Sequence, residues 1–460
     1  MTTRKLACAC LIATLSVLGC DNKRTTGEPQ VQAQDAPVAT RDALAEGAAT
    51  ALRAAGAPSS AASTAAPLAM PVDAYTPVPT GFDFPGDKAR LLKARDAGAA
   101  GEMRAHVWHL WAGLNQTARS GGPLWETWYP SDDVFATAPT SLLAAGARRG
   151  HRFQAPRQFA ARGLSVLAEG QSLLSFVLFN EESRAHIREN KLYSRAELQR
   201  LNDSFGTSTP IADRSIKPFD RSSVALKVVW RAVKKSGLTA MPVWDAEPTR
   251  PDAKGNPPDT WKRAVAIDPN RDVVPAGEST DVTIGGRQLN ARVVSLSQFY
   301  HVAISSDEEL ASARAALKDQ TLQLGDFAVL VGMHVTTKEI DDWVWGTFWW
   351  HDRASDGRYA ADRTPDVPGV FRNYLMEVSL SADVPKDDDG GAHVCFNPWL
   401  EARFVNGLHS NCLSCHQRAA FPASDFLPVT RGATQPGDPY FKGMTRVDFL
   451  WSINFEASGS

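Results

Sequence analysis

Only 44 residues follow His416 in this 460-residue chain, yet the run that ends there, Cys412-Leu413-Ser414-Cys415-His416, demands a well-built interior around it. Two thiols at that spacing can each add to one vinyl group of a haem, and the adjoining imidazole then reaches the iron from its proximal face. The run therefore predicts one covalently held haem c, with Cys412 and Cys415 as anchors and His416 as an iron ligand. With 6 Cys and 10 His in the chain, about 0.002 chance copies are expected, so no other motif here competes with it. The rival reading is a zinc knuckle of Cys412, Cys415, His416 and His409, since Cys-x-x-Cys also suits tetrahedral zinc. Either way, a tail this short cannot bury a core by itself. It is expected to dock on the chain that precedes it.

The amino terminus bears on the choice. Arg4 and Lys5 form a basic start, residues 6–18 an apolar stretch, and Val17-Leu18-Gly19-Cys20 resembles a lipobox. Residues 1–19 are read as a lipoprotein signal, with Cys20 as the lipidated first residue of the mature protein; an ordinary secretory signal is the alternative. The apolar stretch is too short to span a bilayer. Haem is attached covalently outside the bacterial cytoplasmic membrane, so the two signals agree on an exported, periplasmic protein held to a membrane by lipid. Cysteine usage fits. Cys8 and Cys10 leave with the signal, Cys20 takes lipid and two more take haem, so Cys395 is left alone and no disulfide scaffold is possible. Cys395 reads as a small buried apolar residue, or, if haem is absent, as a disulfide partner for Cys412 or Cys415.

Residues 20–80 are Ala, Pro, Ser, Thr and Gln with almost no aromatics, and such a segment cannot offset its ordering entropy. It is expected to be a tether, about 40 Å from end to end as a coil. All 13 Trp lie after Val107, which marks residues 81–394 as a large globular region and 395–460 as the haem-binding segment packed on it. Helices are expected at 102–114, 195–201 and 311–317, the last two opened by capping boxes at Ser194 and Ser306. Strands are expected at 172–179, 224–233, 291–304, 327–336, 343–350 and 373–380. Strands grouped without regular helical alternation predict an α+β fold with a β-rich core. A net charge of −2 without a basic cluster argues against nucleic acid as a partner.

Period-two reading of 343–351 places Trp343, Trp345, Thr347, Trp349 and His351 on one face and Val344, Gly346, Phe348 and Trp350 on the other. A strand bulky on both faces is expected to be buried on both. It reads either as plain core or as an aromatic wall against the haem, with His351 or His334 near the iron. His106 and His109 share a helix face; buried hydrogen-bonded histidines are the simpler reading than a metal pair. For the sixth iron ligand the nominee is Met444, the only methionine after the motif, with His351 and His334 as alternatives.

The stretches 395–402 (Cys-Phe-Asn-Pro-Trp-Leu-Glu-Ala) and 410–416, the Trp343-x-Trp345-x-Thr347-Phe348 strand and the closing Asp448-Phe449-Leu450-Trp451-Ser452 resemble a group of exported bacterial cytochrome c family proteins. The resemblance covers about the last 130 residues. It implies haem binding at Cys412, Cys415 and His416 and a role in electron transfer, with a redox protein or a small-molecule donor or acceptor as partner. It differs from small soluble cytochromes c, where the motif closes the first helix of a compact module. Two further readings stand beside the relay. One is a peroxidase-like haem oxidoreductase with an open iron position, served by His351, His334 or His409 as acid–base group. The other is a haem sensor or assembly lipoprotein without turnover.

Overall fold

The computed structural model describes residues 75–119, 121–137, 153–155, 173–245, 255–386, 393–423 and 432–458. All of these belong to one compact unit, Pro67–Ser460. The expected signal peptide, Cys20 and nearly all of the expected tether lie outside the described residues. The fold is α+β and rich in strands, as the strand grouping predicts.

A seven-stranded sheet organises it. In spatial order its strands are β1 (Tyr129–Pro130), β2 (Leu174–Phe179), β3 (Val224–Val233), β9 (Phe327–Thr337), β10 (Val344–Trp350) and β11 (Tyr374–Ser379), with β8 (His301–Ala303) pairing β9. All these pairings are antiparallel. A second sheet of β4 (Thr239–Val243), β5 (Arg263–Asp268), β6 (Ser279–Ile284) and β7 (Arg287–Ser295) contains a parallel β5–β7 pair. Near the end of the chain, β12 (Ala420–Phe421) pairs β13 (Thr445–Arg446).

Both faces of the large sheet are covered. On one lies α2 (Ala100–Leu114), seated so close that a Cβ on Gly346 would meet Val107 at 2.5 Å. Trp111 stacks on Phe348 with ring centroids 3.9 Å apart, and its indole N–H donates to the Phe371 carbonyl at 3.2 Å. A buried indole N–H usually finds such a partner. Trp125 finds one in Asn115 at 2.9 Å, so Trp125 and Trp128 are core anchors. On the other face, α4 (Glu181–Glu189) and α5 (Arg195–Ser204) pack with α7 (Cys412–His416) and α8 (Trp451–Glu456) around Phe179, Ile187, Trp345, Leu413 and Trp451. The carboxyl-terminal segment is thus one side of a shared core. Its loop 396–399 also joins the second sheet through Trp244, Trp261 and Trp399, with centroids 5.2 and 4.9 Å apart.

His106 ties α2 to the turn between β9 and β10. Its Nε2 lies 3.1 Å from the fully buried Glu339 and its Nδ1 2.9 Å from Asp83. Burial by itself would lower this imidazole, but Glu339 and Asp83 outweigh it and raise the pKa to about 9. His106 is therefore an ion-paired core group, with both ring nitrogens beside carboxylates. The folded pKa exceeds the unfolded value near 6.5, so the stabilisation is complete below about pH 6.5 and is lost as pH rises through 9. Changing His106→Ala strands the Glu339 carboxylate and is expected to cost about 3 kcal/mol at pH 6. Urea unfolding should show that penalty shrinking towards pH 9.5, and a pH-independent penalty would refute the ion-pair assignment.

Candidate functional site

Strand register brings a polar row to the face of the large sheet opposite α2. Lys227 pairs with His334, His334 with Thr347 and Thr347 with Glu377. Directly opposed residues in antiparallel strands project to the same face, so a cation, an imidazole, a hydroxyl and a carboxylate cross the sheet side by side. Over the Lys227–His334 end of this row lies a cavity holding about 1230 Å³ of empty space with its open mouth included.

Cys412, Cys415 and His416 line this cavity together. Their helix is short and is fixed by Asn411 at its start. The Asn411 side chain accepts from the Leu413 amide at 2.9 Å and the Ser379 hydroxyl at 3.0 Å, and donates to the His393 carbonyl at 2.7 Å. His416 packs on Trp345 with ring centroids 4.2 Å apart. Its Nδ1 lies 2.8 Å from the Phe449 carbonyl. A carbonyl only accepts, so Nδ1 carries the proton and Nε2 keeps its lone pair. Burial pushes this imidazole down to about 4. It is neutral at pH 7, the form that ligates a metal.

Asp448 and Phe449, which present that carbonyl, both have left-handed backbone, with φ of 47° and 70°. Neither is glycine, and such positions cost of order 1–3 kcal/mol and collect at functional sites. Asp448 is held by the Lys338 ammonium at 2.6 Å and the Phe219 amide at 2.9 Å. The strained turn is thereby clamped from two sides.

Across the same cavity stand Lys227, His334 and Glu401. His334 Nε2 lies 3.2 Å from Glu401 Oε1, and the Asn397 amide donates to Glu401 Oε2 at 2.7 Å. Burial alone would raise the Glu401 carboxyl, but His334 and the Asn397 amide hold it below the usual range. An ionised carboxylate then orients the His334 ring, the arrangement that commonly backs a metal-ligating histidine. Burial lowers Lys227 to about 8 against the pull of Glu401 and Glu456. Lys227, His334, Glu401 and His416 all keep partial exposure although they sit deep in the fold, because the cavity reaches them.

The other residues singled out from sequence lie elsewhere. Met444 is outside the cavity lining; its carbonyl accepts from Arg214 at 3.0 Å in the turn before β13. His351 sits at the far end of β10, where its Nδ1 accepts from the Arg353 amide at 2.9 Å and its Nε2 lies 3.5 Å from Asp245. His409 is outside the lining as well. Among the described residues no group of three or more His, Cys, Asp or Glu forms a metal cage, so the zinc arrangement through His409 is not assembled. Sequence reasoning gave no role to Lys227, Glu401 or Asn411. Only the strand register joins the first to His334, and only the folded loop 395–411 brings in the other two.

No protein-family model, curated protein or solved structure matches this chain. The site is therefore read from its own residues.

Asn411 tests that reading at the level of construction. Replacing it by Ala orphans the groups it serves in a buried place and is expected to cost about 3 kcal/mol. Thermal unfolding checks the loss; an effect under about 0.5 kcal/mol would show that α7 is held by something else.

Proposed function

We propose that this chain is an exported monohaem c-type cytochrome, lipid-tethered at Cys20 in the periplasm, that passes electrons between partners. The observation that carries the proposal is the sharing of one cavity by Cys412, Cys415 and a neutral His416 whose Nδ1 is held by the Phe449 carbonyl. The residues fit the group. Cys412 and Cys415 would anchor it, His416 would ligate the iron, and Trp345 backs the His416 ring. When bound, the haem would supply a one-electron couple whose potential follows from its axial ligands and burial.

The protein's own part is positional. The clamped turn at 448–449 fixes the tautomer and tilt of His416, and Glu401 does the same for His334. Thr336, Val177 and Leu450 supply less polar wall between them. Of the sixth-ligand candidates, His334 is the one on the cavity.

The same His334–Glu401 pair favours a second reading, in which the sixth position stays open and His334 moves protons for a small-molecule oxidoreductase. The two readings part on ligation. An electron relay predicts a low-spin ferrous spectrum unaffected by carbon monoxide in the wild type, with carbon monoxide binding gained in His334→Ala and no change in Met444→Ala. Carbon monoxide binding to the wild type would favour the enzyme instead. Haem staining should persist on a denaturing gel and vanish in Cys412→Ser/Cys415→Ser; a wild-type mass without one haem, after coexpression with attachment machinery, would reject both.

A further inference from the structure

Cys395 has no part in the proposed haem attachment, yet the fold places it against one of the two proposed anchors. Its Sγ lies 3.7 Å from Cys412 Sγ. Main-chain bonds fix the pair: the Cys395 amide donates to the Ser410 carbonyl at 2.9 Å, and the Cys412 amide donates to the Cys395 carbonyl at 3.1 Å. The two backbones thus run side by side at this point, with Cys395 bridged to Asn411. A disulfide has sulfurs about 2.05 Å apart, so an approach of about 1.6 Å remains. Side-chain torsions supply a movement of that size in staggered steps without unpicking the main-chain bonds. Cys395 is buried while Cys412 keeps some exposure on the cavity. The outer sulfur is thus the one an exchange partner reaches first.

We propose that Cys395 and Cys412 form a reversible disulfide in the chain before haem is attached, making Cys395 a redox guard on one of the two anchoring thiols. The chemistry is thiol–disulfide exchange. The Cys412 thiolate attacks the disulfide of an oxidant, either a disulfide-bearing oxidoreductase or a small disulfide such as oxidised glutathione. A mixed disulfide forms and one oxidant thiol leaves. Cys395, its proton lost to solvent, then attacks the Cys412 sulfur and expels the second thiol. Two protein thiols are oxidised by two electrons, the oxidant's disulfide is reduced to two thiols, and the protons balance. A reduced dithiol reverses both steps. While the bond is closed, Cys412 has no thiol to add to a vinyl group and only Cys415 is available. Once Cys412 becomes a thioether, Cys395 loses its partner and stays reduced. The disulfide stands on geometry alone; its consequence for loading rests on the haem reading.

The full-length protein, exported from cells lacking haem-attachment machinery, is alkylated while denatured and digested with trypsin without reductant. Cleavage after Lys386, Arg403 and Arg418 separates Cys395 from the peptide that carries Cys412 and Cys415. The expected product is a linked pair of peptides with alkyl label on Cys415. Label on all three cysteines, or a bond between Cys412 and Cys415, overturns the proposal. In a second arm, the oxidised protein is supplied with haem and attachment machinery, with and without a dithiol. Without dithiol, Cys395→Ala should load haem several-fold faster than wild type, and dithiol should remove the difference. Equal loading in the absence of dithiol overturns the guarding role. Absence of haem from every sample, beside an intact Cys395–Cys412 bond, overturns the haem reading and leaves the disulfide standing.

Discussion

The hairpin of β9 and β10 has to be covered on both faces, and the rest of the structure follows from how that is done. Two glycines set the distances. Gly346 leaves room for Val107 of α2 on one face, and on the other a Cβ at Gly332 would come within 3.0 Å of the Asn397 amide. Helix α2 therefore settles on one side and the loop leading to the Cys-x-x-Cys-His run on the other. Asn397 fastens that loop by donating to the Thr347 hydroxyl and the Phe348 carbonyl, both at 2.9 Å. A sheet with both faces covered tolerates polar side chains only where they find partners. The row Lys227–His334–Thr347–Glu377 finds them in the carboxyl-terminal segment and the cavity beneath it.

The cost of this arrangement is concentrated in a few places. Glu401 is ionised in a desolvated position and is balanced by His334, Lys227 and the Asn397 amide. Phe449 accepts a left-handed backbone so that its carbonyl can meet His416. Each of these would be a fault in a plain core, and all lie around one cavity.

Local signals made much of the fold legible in the sequence. Strands 224–233 and 327–337 fall within a residue of their expected bounds because β-branched residues and alternation mark them. Ser194 and Ser306 do cap helices, each accepting from an amide three residues on. The expected strand 291–304 breaks at Leu296–Gln298, where the Ser295 hydroxyl accepts from the Ser297 amide and bends the chain into a 3-10 turn. The site was legible only where it is contiguous. His351 shares the face of Trp345 by period two, yet six residues of strand put it about 20 Å away. Met444 was reached by elimination, which says nothing about distance. Lys227 and Glu401 enter through strand register and a folded loop, long-range facts that no window of sequence contains.

The cavity wall is drawn from residues as far apart in the chain as Ser131 and Glu456. No single segment carries it; its walls meet only when stretches distant in sequence pack together. For a polypeptide that emerges amino end first, this fixes a schedule: the last helix must clear the exit before the pocket has a wall. Whatever settles there arrives only once α8 has been made and packed, late in the life of a nascent chain.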